Sequence, residues 1–398
     1  MLTTFYPPYH FGGDAIYVQR LAHARADRGD RVAVVHCADS YRVLARGETG
    51  HAHEPHEGVR VVTFTNPVPL LSPAVTYLSG RAGLKERALR RLFERERFDV
   101  VHFHNVSLLG ASVLGLGSGV KLYSLHDHWL VCPMHVLWKD DREPCVTPSC
   151  VRCGVAFRRP PQLWRATGFL ERQLARVDRF VAASAFVLEA HRQRGLDLPG
   201  SVVPLFVPDP APPAGNRSPS APFLFVGRLE RIKGVDTLID AFAAAPELDL
   251  VIAGSGTAEP ELRRQAARLA NVTFAGQLGP TELGRLYRSA AALVVPSLGY
   301  ESGPLVVVEA SRTACRSWAV ASAASRSTSN VAAGSSIRPT TSWSRSCGRS
   351  PPARPCAPSW EPVAVRSSSS GTPSRRICKP WTRSSPRSLP LRASEILA

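Results

Sequence analysis

Apolar runs of strand length alternate with amphipathic segments along the first half of the chain. The amphipathic segments lie around residues 15–28, 84–96, 163–176 and 185–194, and their periodicity is that of helices packed on one face. Short apolar runs separated by such helices are typical of an α/β fold whose parallel sheet is covered on both faces. The predicted strands of this region are 31–37, 59–64, 98–104, 120–127 and 179–184.

A segment rich in Pro, Gly and Ser, VPDPAPPAGNRSPSAP at residues 207–222, interrupts this alternation. Such a composition marks a linker, and apolar runs resume after it in PFLFVGR, LDLVIAGSG, NVTFAGQ and ALVVPS. A chain of 398 residues also exceeds the size at which single cores stop growing. We therefore predict an N-terminal domain over 1–206 and a C-terminal one over 223–310. Ligands should bind between them, at the carboxyl ends of the strands.

The tail, residues 311–398, follows a different pattern from the rest of the chain. It is rich in Ser, Pro and Arg and carries 14 Lys and Arg against two acidic residues. This composition is typical of a disordered segment. A shifted reading frame is another explanation, because residues 311–330, back-translated with G/C-ending codons and moved by one base, can read FAHGVPVVGGRLGGLAEHVE. On that interpretation the C-terminal domain is incomplete; the alternative is a genuine basic low-complexity tail.

The charge outside the tail is nearly balanced, since residues 1–310 hold 35 Lys and Arg against 30 acidic residues. The net charge of +17 is therefore mostly a property of the tail, and we expect no nucleic-acid partner. The sequence has no signal peptide and no apolar stretch of membrane-spanning length. These features predict a cytoplasmic protein with at most peripheral contact to the inner face of the membrane.

Two cations follow the first predicted strand of the C-terminal domain. Gly227 and Arg228 come directly after the strand, and Lys233 precedes the start of a helix. Cations that converge on a helix N-terminus are suited to a phosphate or diphosphate. Either cation alone is more simply an ordinary surface charge, but the combination favours phosphate binding.

Glycines follow other predicted strands and allow the backbone to approach a ligand closely. Gly254 lies in IAGSGT, and Gly12 and Gly13 follow the Pro-Pro turn near the start of the chain. A plain tight turn explains each of these glycines equally well. As donor-binding candidates, Gly12 and Gly13 would bring the N-terminal domain close to a diphosphate.

Two glutamates, Glu301 and Glu309, flank an apolar helix that begins near Gly303 and Pro304. Ionised carboxylates accept hydrogen bonds from the vicinal hydroxyls of sugars. The spacing places Glu301 on the loop before the helix and Glu309 about two turns into it. The simpler interpretation is two solvated carboxylates, but the apolar run between them favours a buried helix.

These motifs together resemble the retaining glycosyltransferases of family 4, which have the GT-B architecture of two Rossmann-like doubly wound domains. Gly-Arg-Leu-x4-Gly at 227–234, Glu-x7-Glu at 301–309, TTFYPPYHFGGD and HDHWLVCP all match, so the resemblance covers residues 1–310. It implies a nucleotide-sugar donor and a glycan or lipid-linked acceptor, as in cell-envelope polysaccharide synthesis.

The resemblance also implies roles for individual residues. Arg228 and Lys233 would bind the donor diphosphate and stabilise the charge on the leaving group. Glu309 would hold the ribose, Glu301 the transferred sugar, and His126 would face that sugar. Gly227, Gly303 and Leu305 complete the predicted donor site. No catalytic metal is expected, because residues 1–310 contain no Asp-x-Asp motif.

Two other functions remain open. Because the tail replaces part of the second sheet, the chain as written could be an inactive remnant that binds nucleotide or zinc without turnover, and we expect it to fold poorly and to show weak or no activity. A Rossmann dehydrogenase is disfavoured, because YPPYHFGGD stands where Gly-x-Gly-x-x-Gly would be needed.

Four cysteines cluster in an insertion, residues 132–153, after His126. Cys132, Cys145, Cys150 and Cys153 lie within it, and the last two form Cys-x2-Cys. In a chain without a secretory signal, such clustering favours metal over disulfides. We predict a structural tetrathiolate zinc site here, with free thiols as the alternative.

Overall fold

Two parallel β-sheets organise the protein in the computed structural model, which describes residues 1–45, 55–208, 220–313 and 316–319. The first sheet and its helices are called the first lobe (residues 1–208), and the second sheet and its helices the second lobe (residues 220–319). Most of the predicted linker and of the predicted disordered tail lies outside the described residues.

The N-terminal residues supply the central position of the first sheet. Leu2 bridges Val35 on one side and Phe103 on the other, both in parallel. This backbone contact joins the pair β1 and β2 to the four strands β3-β4-β7-β8. The strands of the first lobe are β1 Val32–Cys37, β2 Val59–Phe64, β3 Val100–Phe103, β4 Val120–Leu125, β5 Trp138–Lys139, β6 Glu143–Pro144, β7 Arg179–Ala182 and β8 Gly200–Val202.

The second sheet has the strand order β11-β10-β9-β12-β13, and all of its strands are parallel. The chain therefore adds β10 and β11 on one side of β9, and then crosses over to add β12 and β13 on the other side. Its strands are β9 Phe223–Val226, β10 Leu250–Ala253, β11 Val272–Gly276, β12 Ala292–Val295 and β13 Arg316–Ala319. Ligands bind such sheets where the order reverses, here beyond the carboxyl ends of β9 and β12.

Helices cover both sheets with apolar faces. In the second lobe, Val235, Leu238, Ile239 and Phe242 are all buried, at the spacing of one helix face. The helices are α1 Gly13–Asp27, α2 Ala38–Leu44, α3 Leu71–Ser79, α4 Glu86–Glu96, α5 Cys150–Ala156, α6 Phe169–Leu174, α7 Ala185–Arg192, α8 Val235–Ala243, α9 Glu259–Gln265, α10 Pro280–Ser289 and α11 Leu305–Arg312.

The second sheet is buried on both faces, because successive residues of its strands belong to different cores. Phe225 and Val294 pack with α8 and α9, whereas Leu224 and Leu293 pack with Tyr287 of α10 and with α11. This alternation follows from the period of two along a strand. It explains why these strands are continuously apolar in sequence.

Two sequence expectations change in the structure. The helix predicted over 163–176 is broken by Gly168, whose positive φ of 64° ends a short 3-10 turn, Leu163–Thr167, before α6 begins. The predicted start of the tail, residue 311, falls inside α11. Beyond that helix, β13 still pairs with β12, so it belongs to the second sheet.

Candidate functional site

The carboxyl edge of the second sheet carries the two predicted cations. Gly227 and Arg228 directly follow β9, and Lys233 ends a 3-10 turn, Arg231–Lys233, at the start of α8. Ser297 follows β12, the strand on the other side of the order reversal. The fold thus brings these residues together where a doubly wound sheet binds its ligand.

Lys233 and Glu301 form an ion pair at this edge. The Lys233 Nζ donates to Glu301 Oε1 at 2.7 Å, and the Ser297 hydroxyl donates to the same oxygen at 2.6 Å. Burial acts to raise the pKa of Glu301, but the Lys233 ammonium, the Ser297 hydrogen bond and the Arg228 charge together hold the pKa below its usual range. The site therefore contains an ionised carboxylate that accepts hydrogen bonds and, beside it, an ammonium group.

Arg228 lies on the exposed side of the same cluster. Its Nη1 donates to Glu230 Oε1 at 2.6 Å, and its positive charge also lowers the pKa of Glu301. Nearly half of the Arg228 side chain is exposed, at 48%. An exposed pair of this kind is weak, so Arg228 can leave Glu230 for a phosphate at little cost.

Two glycines of this edge have no room for a side chain. A Cβ at Gly254 would overlap the carbonyl oxygen of Gly227, and Gly254 has a φ of +134°. Gly234 has a φ of +67°, and a Cβ there would meet the carbonyl oxygen of Pro296. The strand ends therefore lie close together, which brings backbone groups near to the cation cluster.

Glu309 lies on α11 and both of its oxygens have protein partners. Arg20 Nη2 of the first lobe donates to Oε1 at 2.7 Å, and the Tyr287 hydroxyl donates to Oε2 at 3.0 Å. The two charged side chains are mostly buried. Glu309, the residue predicted to bind the ribose, is thus held in place by Arg20 and Tyr287, which the sequence did not indicate.

The glycine loop of the first lobe faces the predicted donor helix. A Cβ built at Gly13 would lie 3.5 Å from a methyl carbon of Leu305 at the start of α11. The Ser184 hydroxyl likewise donates to the carbonyl oxygen of Ser302, at 3.3 Å. Gly13 and Leu305, predicted separately as donor-binding residues, are therefore neighbours across the cleft.

His126 follows β4 on the first-lobe side. Its ring lies edge-on to Tyr17, with ring centroids 5.6 Å apart, and its Nε2 is 2.9 Å from Nδ1 of His104. Burial lowers its pKa, which the carboxylates of Asp14 and Asp127 partly offset. His126 is therefore a neutral imidazole near two carboxylates.

An apolar cavity of about 560 Å³ lies beside Gly303. Ala183, Ser184 and Leu205 line it from the first lobe, and Val308 lines it from α11. It therefore adjoins the predicted donor site through Gly303, but the ionic groups of that site do not line it.

The four clustered cysteines are free thiols in the structure. Burial raises the pKa of Cys132, Cys145 and Cys153, and the neighbouring cysteines raise it further. Within the part of the chain that the structure describes, no group of three or more His, Cys, Asp or Glu side chains is arranged to hold a metal ion. Zinc therefore stays a prediction.

Sequence reasoning missed Ser297, Arg20 and Tyr287. Ser297 had a usable signal, because it directly follows the apolar strand ALVVPS, and strand ends are where ligands bind. Arg20 and Tyr287 lie within helices, and their spacing in the sequence gives no indication that they meet Glu309.

Residues 11–209, half of the chain, match the model for Glycosyltransferase Family 4, and residues 213–336 match Glycosyl transferases group 1. The chain belongs to glycosyltransferase family 4. The predictions of the family and of the glycosyltransferase class are therefore confirmed.

A curated relative agrees with this membership. The glycosyltransferase is 30% identical over 344 residues to a glycogen synthase of Mycobacterium tuberculosis (strain CDC 1551 / Oshkosh). The aligned region covers 78% of this chain and 74% of the relative. The similarity thus extends well beyond the first lobe.

Solved structures confirm the predicted GT-B fold of two Rossmann-like domains. The glycosyltransferase matches the structure of the sucrose-phosphate synthase from Thermosynechococcus elongatus with a TM-score of 0.57 at 20% identity. The match covers 81% of this glycosyltransferase and 80% of the synthase chain. Anabaena HepE, in complex with UDP and glucose, has a TM-score of 0.53 at 18% identity and covers 81% of each chain. At these identities the likeness concerns the fold alone.

Among the residues that the structure describes, none of the helices of the glycosyltransferase combines the length and the apolar character needed to cross a membrane.

Proposed function

We propose that this glycosyltransferase moves a sugar from a nucleoside-diphosphate donor to a glycan or lipid-linked acceptor, with retention of the anomeric configuration. The observation that carries the proposal is the Lys233–Glu301 ion pair at the order reversal of the second sheet. An ammonium suited to phosphate and a carboxylate suited to sugar hydroxyls stand there side by side. Retention rests on membership of family 4.

The residues have separate tasks in this proposal. Breaking the bond between the sugar and the diphosphate leaves negative charge on the phosphate, which Lys233 and Arg228 stabilise. Glu301 accepts hydrogen bonds from the transferred sugar, and Glu309 from the ribose. Gly12, Gly13, Gly227 and Gly254 let the backbone approach the diphosphate, and Gly303 and Leu305 bound the same space.

The choice of donor and acceptor draws on the relatives. HepE was solved with UDP and glucose, which supports a nucleoside-diphosphate sugar as donor. The glycogen synthase relative supports a glycan acceptor. We infer a role in cell-envelope polysaccharide synthesis in the cytoplasm, with peripheral membrane contact and without a catalytic metal.

A structural zinc ion in the segment 132–153 belongs to the same proposal. All four thiols lie on one segment, and Cys150 acts to raise the pKa of each of the other three. Burial raises the pKa of Cys132, and backbone hydrogen bonds from Leu137 and Met134 act against it; a bound zinc ion would supply the positive charge that a thiolate ligand needs. Zinc would hold the segment in place and take no part in transfer.

An inactive remnant that binds nucleotide or zinc without turnover is the second candidate. The composition of the tail favours it, because most of residues 311–398 would replace the part of the second domain that follows α11 and β13. Sequencing the gene across codon 310 tests the shifted frame. An intact frame in independent reads would remove that explanation.

The decisive experiment compares the 398-residue chain with a frame-restored chain. UDP-, GDP- and ADP-sugars are screened by thermal shift, and the donor that stabilises the protein is then tested for transfer to a glycan acceptor. Binding and transfer by the frame-restored chain alone support the proposed function and an inactive 398-residue form. Binding without transfer by either chain favours the remnant. No binding of any of these donors by either chain contradicts the proposed function and a nucleotide-binding remnant, and leaves only a remnant that binds zinc.

A further inference from the structure

A row of buried histidines runs from the interior of the first sheet to His126. His102 lies on β3 and His104 directly follows it, while Ser124 lies on β4 and His126 follows that strand. Because side chains alternate along a strand, each pair two residues apart points to one face. The two strands are parallel neighbours, so all four side chains share that face.

Polar contacts connect the row in two steps. The Ser124 hydroxyl and His102 Nε2 are 2.8 Å apart, and His104 Nδ1 and His126 Nε2 are 2.9 Å apart. Between these steps the rings of His102 and His104 lie 4.1 Å apart, centroid to centroid. His104 is therefore the member of the row that is within hydrogen-bond distance of His126, the predicted sugar-facing histidine.

The remaining nitrogen of His104 decides which ring donates. His104 Nε2 is buried and has no hydrogen-bond partner among the described residues. Orphaned buried N–H groups are rare because such a donor loses its bond to water without replacement, whereas an unsatisfied acceptor is better tolerated. The proton of a neutral His104 is therefore on Nδ1, which donates to Nε2 of His126.

The electrostatic environment keeps the row neutral. Burial lowers the pKa of His102 to about 3 and holds the pKa of His104 well below its usual value. Burial lowers the pKa of His126 as well. A neutral His126 whose Nε2 accepts a hydrogen bond must carry its own proton on Nδ1.

We propose that His104 is a positioning residue that holds His126 in the neutral Nδ1–H tautomer, so that His126 offers a donor to an oxygen of the transferred sugar. This inference rests on the proposed sugar-facing role of His126. In this arrangement His126 acts as a hydrogen-bond donor and cannot act as a general base. A base would need an unprotonated nitrogen free for the acceptor, and Nε2 is already occupied by His104.

The test is the tautomer of His126, read by nitrogen NMR of the full chain labelled with ¹⁵N-histidine. The His126 signals are identified by their loss in His126→Gln. We expect a neutral ring protonated on Nδ1 at pH 7. A ring protonated on Nε2, or a charged ring, would overturn the inference without any variant of His104.

Variants of His104 separate positioning from packing. His104→Asn keeps a donor near the position of Nδ1 and should leave the tautomer unchanged, with kcat within about threefold of wild type. His104→Asp offers an acceptor, so His126 should move its proton to Nε2 or become charged, and kcat should fall about tenfold or more at similar KM. His102→Gln, in the same row but not in contact with His126 Nε2, is the matched control.

The outcomes distinguish this inference from the proposed function. The Nδ1–H tautomer in a frame-restored chain that transfers no sugar would contradict the function and leave the positioning of His126 by His104 standing. Transfer by a chain whose His126 keeps the same tautomer in His104→Asp would contradict the inference and leave the function standing.

Discussion

Arg20 and Glu309 connect the two lobes: Nη2 of Arg20 on α1 lies 2.7 Å from Oε1 of Glu309 on α11, across 289 positions of sequence. Tyr287 holds the other carboxylate oxygen. Glu309 is therefore ordered before any nucleotide arrives, and a ribose hydroxyl must share or displace these partners.

Arg20→Ala should destabilise the protein by about 1–3 kcal/mol, because it leaves a mostly buried carboxylate without its cation. Urea unfolding measures the change. In a double-mutant cycle with Glu309→Gln, the second substitution should restore part of the loss. Purely additive effects would show that the two side chains do not interact in solution.

Lys233→Met should lower kcat by about 100-fold to 1,000-fold, since the ammonium stabilises charge that develops on the leaving diphosphate. Affinity for the nucleotide alone should fall by about tenfold. Arg231→Met is the matched control, because Arg231 is an exposed cation of the same turn. Comparable losses in both variants would mean that only the general positive charge matters.

His126→Ala should reduce turnover much more than nucleotide binding, because the ring is proposed to face the sugar and not the nucleotide. Steady-state kinetics and calorimetric titration with the bare nucleoside diphosphate measure the two effects separately. Equal losses in turnover and in nucleotide affinity would count against the sugar-facing role.

Acid should destabilise the protein below pH 6.5. Burial lowers the pKa of His102 and of His128 to about 3, so below pH 6.5 the unfolded chain takes up protons that the folded chain does not. Their stabilising effect is fully present above pH 6.5 and declines by about 1.4 kcal/mol per pH unit for each histidine, down to about pH 3.

Urea unfolding at pH 7.5 and 5.5 tests this dependence. His102 and His128 should each contribute about 1.4 kcal/mol to the stability lost between these values, and His128→Gln should make the measured loss smaller by about that amount. If wild type and variant lose the same stability, His128 is not buried in the neutral form.

Thiol reactivity tests the cysteine segment. Burial raises the pKa of the Cys132, Cys145 and Cys153 thiols, while Cys150 is exposed. Without metal, alkylation at pH 7.5 followed by peptide mass spectrometry should label Cys150 first. Bound zinc should instead protect all four until a chelator is added, and purified protein should contain about one equivalent. Less than half an equivalent, with four reactive thiols, would reject the zinc site.

Local patterns predicted much of the site. Each of Gly227, Arg228, Lys233 and Glu301 lies at a strand end or helix start, where the alternation of apolar and polar residues already indicates the edge of a sheet. The Lys233–Glu301 contact at 2.7 Å follows once both residues are assigned to that edge. The break at Gly168 was missed because helical periodicity continues on both sides of it.

The sequence by itself determined the α/β class, the two lobes and the chemical character of the strand ends, because these depend on short-range periodicity and on residue type. Only the tertiary structure decided the pairing of Arg20 with Glu309, the contact of Gly13 with Leu305 and the histidine row behind His126. These relationships depend on strand order and on the packing of the lobes. Both bring together residues whose separation in sequence carries no information about their distance in space.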